Sequence, residues 1–162
     1  MKPAFSSPSA KIFISQIVEG SAGSFQSLLP AIIFLIAVGL SFATGTSWGT
    51  FGILIPIVLS VFEPGDPIMI VAISACMAGA VCGDHCSPIS DTTIMASAGG
   101  QCDHLNHVST QLPYALTVAG VSFVSYIIAG SIPNWMISLP IALVLMIGTL
   151  IVIGALSKKK AK

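Results

Sequence analysis

Two acids lie inside an otherwise apolar part of the chain. Residues 83–93 read Gly-Asp-His-Cys-Ser-Pro-Ile-Ser-Asp-Thr-Thr, and apolar runs lie on both sides of them. Hydrocarbon tolerates neither free carboxylates nor unpaired backbone groups, so this segment should face protein or water. An interrupted helix that carries acids at membrane depth typically marks an ion or substrate path. The segment therefore predicts a transporter.

The same segment offers oxygen atoms of the kind that sodium binds. Carboxylates come from Asp84 and Asp91, and a helix break would add free backbone carbonyls. A carboxylate removed from water also binds a proton more readily, which suits exchange of Na+ for H+ on one group. The neighbouring hydroxyl groups are those of Ser87, Ser90, Thr92 and Thr93.

Structural roles for these residues stay open beside the chemical ones. Asp91 could cap the helix that follows the break, with Ser90 assisting. Asp84 could form a structural pair with His85 or with a lysine elsewhere, and His85 could equally be a hydrogen-bonded structural histidine. We predict ion and proton exchange at Asp84 and Asp91, with His85 as a further proton-coupling candidate. Asp91→Asn is expected to abolish Na+-dependent proton flux in a complete transporter.

A second polar segment, residues 44–50, lies in the middle of the apolar stretch 28–62. It reads Thr-Gly-Thr-Ser-Trp-Gly-Thr, and its glycines allow close backbone approach. Tight packing of small residues between helices is the plainer interpretation. Because four hydroxyl groups exceed what packing requires, we predict that Thr44, Thr46 and Ser47 bind the ion or substrate.

The composition predicts a membrane protein. Of the 162 residues, 54% are hydrophobic and 7% charged, whereas a soluble domain has about 25% charged residues. With zero net charge and no basic patch, nothing suggests a nucleic-acid partner. No nucleophile–base set or closed metal site suggests an enzyme. The expected partners are the lipid bilayer and the transported Na+ and H+, with no cofactor.

The apolar runs predict an all-α polytopic membrane fold. Each arm of the stretch 28–62 has only about 15 residues, and a straight crossing needs about 20. We therefore expect a re-entrant helical hairpin, with one long kinked helix as the alternative. Residues 68–98 predict a transmembrane helix broken at 84–93, because Pro88 disfavours helix at Ser87.

The remaining elements are simpler. Residues 101–111 predict a polar connection with His104 and His107 solvated, and two plain transmembrane helices follow at residues 113–132 and 136–156. Residues 1–27 predict an interfacial helix or the tail of a missing helix. Residues 28–157 would form the transmembrane domain, and residues 158–162 a lysine-rich tail in the cytoplasm beneath the cell membrane.

Both polar segments resemble signatures of the NhaC-type Na+/H+ antiporter family. Residues 42–53, Phe-Ala-Thr-Gly-Thr-Ser-Trp-Gly-Thr-Phe-Gly-Ile, are similar to its hairpin signature, and residues 83–93 to its second signature. The resemblance covers roughly residues 15–156 and corresponds to the C-terminal portion of family members. It implies inverted repeats, re-entrant hairpins, and Na+ sites where hairpin tips meet helix breaks near mid-membrane.

The resemblance also implies a function, Na+/H+ antiport by alternating access. Some relatives couple Na+ or H+ to small organic acids such as malate and lactate, which is the alternative function. No internal repeat is found, so the chain looks like one half of such a transporter. We expect it to be a fragment, a truncated product or one half of a split transporter. It would work with an N-terminal half or as a homo-oligomer, or be an inactive membrane subunit.

Overall fold

The computed structural model describes residues 22–132 and 134–160, and these ranges contain helices and no strands. The prediction of an all-α fold is confirmed. The predicted N-terminal segment lies outside the described residues except for residues 22–27, as do residues 161 and 162 of the tail. In chain order the helices are α1 (Ala22–Thr44), α2 (Ser47–Val61), α3 (Pro67–Cys86), α4 (Asp91–Gly99), α5 (His104–Ser131) and α6 (Trp135–Lys160).

Four of these helices are long and apolar enough to cross a membrane, namely α1, α3, α5 and α6. The chain is therefore a multi-pass membrane protein. The expectation of a first hairpin arm of about 15 residues is wrong, since α1 has 23 residues. It begins in residues 22–27, which are mostly small or polar and contain no proline to prevent a helix. The second arm, α2, has 15 residues and is shorter than a crossing.

The polar connection predicted at 101–111 is wrong from residue 104 onward, because α5 already begins at His104. Asp103 is its N-cap, and the carboxylate accepts a hydrogen bond from the backbone N–H of Asn106 at 2.9 Å. A capped polar turn forms a helix without any apolar signal, so hydropathy places this start too late. Pro113 lies inside α5 rather than at its beginning.

Two glycines bring α1 and α3 into backbone contact. A Cβ atom at Gly79 would collide with the carbonyl oxygen of Phe34, and one at Gly83 with that of Val38. They are four residues apart, so they lie on the same face of α3. Small residues at this spacing let transmembrane helices approach closely. Since Asp84 follows Gly83 directly, this contact also fixes the end of α3 that carries the acid.

The packing of α2 sets the position of its first residues. Val58 and Phe62, at the C-terminal end of the helix and just beyond it, form a buried cluster with Ala72 and Cys76 of α3. On α3, Asp84 lies about two helical turns beyond Cys76. From the same cluster, the N-terminal part of α2 extends along α3 in the direction of Asp84. The N-terminus of α2 therefore lies beside the C-terminal end of α3.

We expect Gly83→Ala to lower the free energy of unfolding by about 1–3 kcal/mol, because the new methyl group must push the α1 backbone away. Gly39→Ala is the matched control, since a Cβ there meets nothing within 4 Å. Denaturant unfolding in detergent micelles, followed by circular dichroism, measures both. Equal stabilities of the two variants would contradict the close approach at Gly83.

Candidate functional site

The connector between α3 and α4, residues 87–90, forms the centre of the site. The backbone N–H of Ser87 donates to the carbonyl of Asp84 at 3.1 Å and closes α3. Ser90 is the N-cap of α4, and its hydroxyl oxygen accepts from the N–H of Thr92 at 3.2 Å. The interruption is narrower than the predicted 84–93, because helix is disfavoured only from the residue before Pro88.

Asp84 is 3% exposed, and its carboxylate is surrounded by hydroxyl groups. Ser90 donates to Oδ1 at 2.6 Å, whereas Thr92 donates to Oδ2 at 3.2 Å. Ser47, the first residue of α2, also donates to Oδ2 at 3.3 Å. The site thus joins two segments that lie far apart in sequence.

The electrostatic situation of Asp84 is unusual, because all three of these donors are neutral. A buried carboxylate whose partners are hydroxyl groups has little compensation for the water it has lost. The N-terminus of α4 helps, since its free N–H groups carry partial positive charge. A cation or a proton at the carboxylate would provide the rest. The atoms gathered here are carboxylate and hydroxyl oxygens, which are the donors that hard cations prefer.

The tip between α1 and α2 lies against the connector. Gly45 has φ of +67°, a conformation that favours glycine, and a Cβ there would lie 3.0 Å from the carbonyl oxygen of Ile89. Thr46 is the N-cap of α2, and its hydroxyl oxygen accepts from the N–H of Gly49 at 3.4 Å. Residues 44–50 and 83–93 therefore meet, as the family resemblance implies.

The other predicted residues divide into two groups. Ser87 and Thr93 are both buried, and both follow Asp84 closely in the sequence. The Thr93 hydroxyl has no hydrogen-bond partner among the described residues. Thr44 is exposed and donates to the carbonyl of Leu40 in its own helix at 2.9 Å. Asp91 is also exposed, so the structure brings neither of these last two to the Asp84 carboxylate.

The structural roles considered for the two acids, a helix cap for Asp91 and a pair with His85 for Asp84, differ from what the structure shows. The cap of α4 is Ser90, whereas Asp91 is the first helical residue and accepts from the N–H of Thr92 at 2.9 Å. His85 is exposed, and its Nδ1 lies 2.9 Å from the carbonyl oxygen of Val81 in the same helix. The pair of Asp84 with His85 is thus replaced by the hydroxyl contacts.

Sequence reasoning missed two contacts. Thr92 was recognised as a hydroxyl residue of the segment, but its bond to Asp84 depends on how α4 turns back over the connector. The prediction that His104 is solvated is wrong, because its ring is half-buried and its Nε2 lies 2.7 Å from the carbonyl oxygen of Pro88. The helix start at Asp103 was the one available signal for placing His104 beside α4.

A family model and several curated proteins match this chain. A model of the Na+/H+ antiporter family matches residues 10–131. An uncharacterised protein of Haemophilus influenzae is 49% identical over 119 residues, which are 73% of this chain and 22% of that protein. The malate-2H(+)/Na(+)-lactate antiporter of Bacillus subtilis is 36% identical over 104 residues, 60% of this chain and 22% of that protein.

A third relative, an uncharacterised Na(+)/H(+) antiporter of Haemophilus influenzae, is 36% identical over 105 residues, 65% of this chain and 22% of that protein. The chain thus spans about a fifth of the length of these relatives. No solved structure matches it.

Two neighbouring threonines provide a matched test of the site's hydrogen bonds. Thr92→Val removes a donor to Asp84 and should destabilise the Na+-free protein by about 1 kcal/mol. Thr93→Val removes a buried hydroxyl without a described partner, so it should leave stability unchanged or raise it by up to about 1 kcal/mol. Denaturant midpoints in Na+-free buffer measure both. A loss in Thr93→Val equal to that in Thr92→Val would contradict this geometry.

Proposed function

Because the chain belongs to the Na+/H+ antiporter family, we propose that it forms the cation-binding part of a secondary transporter that exchanges Na+ for H+. One observation carries the proposal: the buried Asp84 carboxylate is contacted by hydroxyl groups from two separate segments. Since the chain spans about a fifth of its relatives' length, transport is proposed for a protein that contains or assembles with it.

The hydroxyl groups suit both states of such an exchange. A hydroxyl can donate to an ionised carboxylate, accept from a protonated one, or turn its lone pairs toward a cation. With Na+ bound, the oxygens of Asp84, Ser47 and Ser90 would face the ion. With H+ bound, Asp84 would donate to one of the same hydroxyls. Since one carboxylate holds either Na+ or H+, the two ions compete, and alternating access would make that competition an exchange.

The remaining candidates are given secondary roles. Ser87 and Thr93 are proposed as further oxygen ligands, because Ser87 is buried within the connector and Thr93 is buried in the first turn of α4. Asp91 is proposed as an outer carboxylate that attracts cations, since it is exposed in the first turn of α4. Proposed roles for Thr44, Thr46 and His85 rest on the family resemblance rather than on contacts with Asp84.

We also propose the membrane arrangement that this mechanism needs. Helices α3 and α4 would form one broken crossing, and α1 and α2 a hairpin whose tip reaches the break. Support comes from the contact of Gly45 with Ile89 and from the short α2 and α4, with 15 and 9 residues. We propose that the cation site lies in this chain and that an N-terminal half or a second copy completes the transport pathway, as in inverted-repeat transporters.

A second candidate is exchange of Na+ or H+ coupled to a small organic acid. The observation that favours it is the 36% identity to a protein named as a malate-2H(+)/Na(+)-lactate antiporter. In that case malate or lactate would tighten the binding of radioactive Na+ to the chain. For simple Na+/H+ exchange, neither acid would change it.

For orientation, we propose that the C-terminus lies in the cytoplasm beneath the cell membrane, because residues 158–162 carry four lysines and basic segments stay inside. A green fluorescent protein fused to the C-terminus should be fluorescent, while alkaline phosphatase at the same position should be inactive. The opposite pair of results would reverse the orientation.

The exchange site itself is tested by equilibrium binding of radioactive Na+ to the chain in lipid nanodiscs. In acidic buffer, the apparent Na+ affinity should fall about tenfold for each pH unit by which the pH is lowered, because one proton competes with one Na+. Asp84→Asn should abolish binding, and Asp91→Asn should weaken it severalfold. Asp66→Asn, which keeps its cap on α3, is the control. Wild-type Na+ affinity in Asp84→Asn, or binding independent of pH, would contradict the proposal.

A further inference from the structure

A histidine outside the carboxylate's contacts joins the connector to α4. His104 is the first residue of α5, and its Nε2 lies 2.7 Å from the carbonyl oxygen of Pro88. Its Nδ1 lies 3.0 Å from the hydroxyl oxygen of Ser97, near the C-terminal end of α4. One imidazole ring thus contacts both the connector and the short helix that follows it.

The Pro88 carbonyl determines which ring nitrogen of His104 must carry a hydrogen. A carbonyl oxygen only accepts, so Nε2 carries the hydrogen and donates it to Pro88. The Ser97 hydroxyl oxygen lies 3.0 Å from Nδ1 and 2.9 Å from the carbonyl oxygen of Ile94, so its hydrogen can point to either atom. A donor at the Nε2 position is therefore the feature that the connector needs from residue 104.

The hydrogen bonds between residues of the connector are long. Pro88 has no N–H, and the distances from Ser90 N to Ser87 O and from Ile89 N to Ser87 Oγ are both 3.4 Å. These are at the long end for hydrogen bonds. The 2.7 Å bond from His104 is much shorter and reaches the connector from another helix. It holds the backbone between Ser87 and Ser90.

The short helix α4 also depends on outside contacts. Apart from Thr93 and Ser97, its residues are all exposed. Nine residues are too few for a stable isolated helix. The Ser97–His104 contact therefore helps to keep the N-terminus of α4, and with it Ser90 and Thr92, over the Asp84 carboxylate.

We propose that His104 is a positioning residue for the cation site. By donating to Pro88 and contacting Ser97, it holds the connector and α4 so that their hydroxyl oxygens converge on Asp84. It touches neither the carboxylate nor the ion. The proposal rests on the proposed function in one respect, namely that Asp84 binds Na+. The hold on the connector can be measured without Na+.

The first experiment measures radioactive Na+ binding to the chain in nanodiscs. His104→Gln keeps an N–H donor that can reach Pro88, whereas His104→Asn is long enough only for the Ser97 contact, and His104→Ala keeps neither. We expect Gln to stay within about twofold of wild type, and Asn and Ala to bind about tenfold more weakly, about 1.4 kcal/mol. His107→Ala, one turn further along α5, is the control with wild-type affinity. Wild-type affinity in His104→Ala, or equal losses in Gln and Ala, would overturn the positioning role.

The second experiment reads the connector directly through Cys86, which is 5% exposed at the end of α3. In a Cys76→Ala, Cys82→Ala, Cys102→Ala background, which leaves Cys86 as the only cysteine, we measure its alkylation by a maleimide in Na+-free buffer. His104→Ala should speed the reaction at least about fivefold, because local opening exposes the thiol, and His104→Gln should not. Unchanged rates in His104→Ala would refute the hold on the connector. Faster alkylation together with no Na+ binding by wild type would overturn the proposed function and leave that hold supported.

Discussion

The structure depends on how one buried carboxylate is compensated. Asp84 has lost its water, and the described groups that replace it are neutral hydroxyls from α2, from the connector and from α4. Hydroxyl groups satisfy the hydrogen-bonding capacity of a carboxylate without neutralising its charge. In the proposed function, the remaining charge attracts a small cation or a proton. An arginine or lysine in this place would have produced a stable ion pair with no capacity for exchange.

The surrounding elements keep these hydroxyls in place. Gly83 lets α3 lie directly on α1, so the backbone next to Asp84 is firmly supported. Gly45 gives the tip a left-handed turn that only a residue without a side chain adopts easily, and the tip then rests on the connector. His104 of α5 contacts the carbonyl oxygen of Pro88. The connector is thus contacted both by the tip and by α5.

Much of this arrangement is predictable from sequence because membrane solvation is so restrictive. Long apolar runs must be helices, and polar interruptions within them must be functional or buried, which identifies residues 44–50 and 83–93 and the positions of the crossings. The direction in which each side chain points is another matter. Asp84 and Asp91 are equivalent in a hydropathy profile, yet Asp84 lies on the face of α3 that meets α2 and α4 and is buried, whereas Asp91, the first residue of α4, is exposed. His104 was missed because a polar, capped turn resembles a loop in composition.

The most direct test is a Na+-induced infrared difference spectrum of the chain in lipid, recorded in mildly acidic buffer. Adding Na+ should remove a protonated carboxylic acid C=O band and produce carboxylate bands, and both changes should vanish in Asp84→Asn. Asp66→Asn serves as the control and should show the full difference spectrum. A Na+-dependent carboxyl signal that persists in Asp84→Asn would contradict the assignment of the exchange to this residue, as would the absence of any such signal in the wild-type chain.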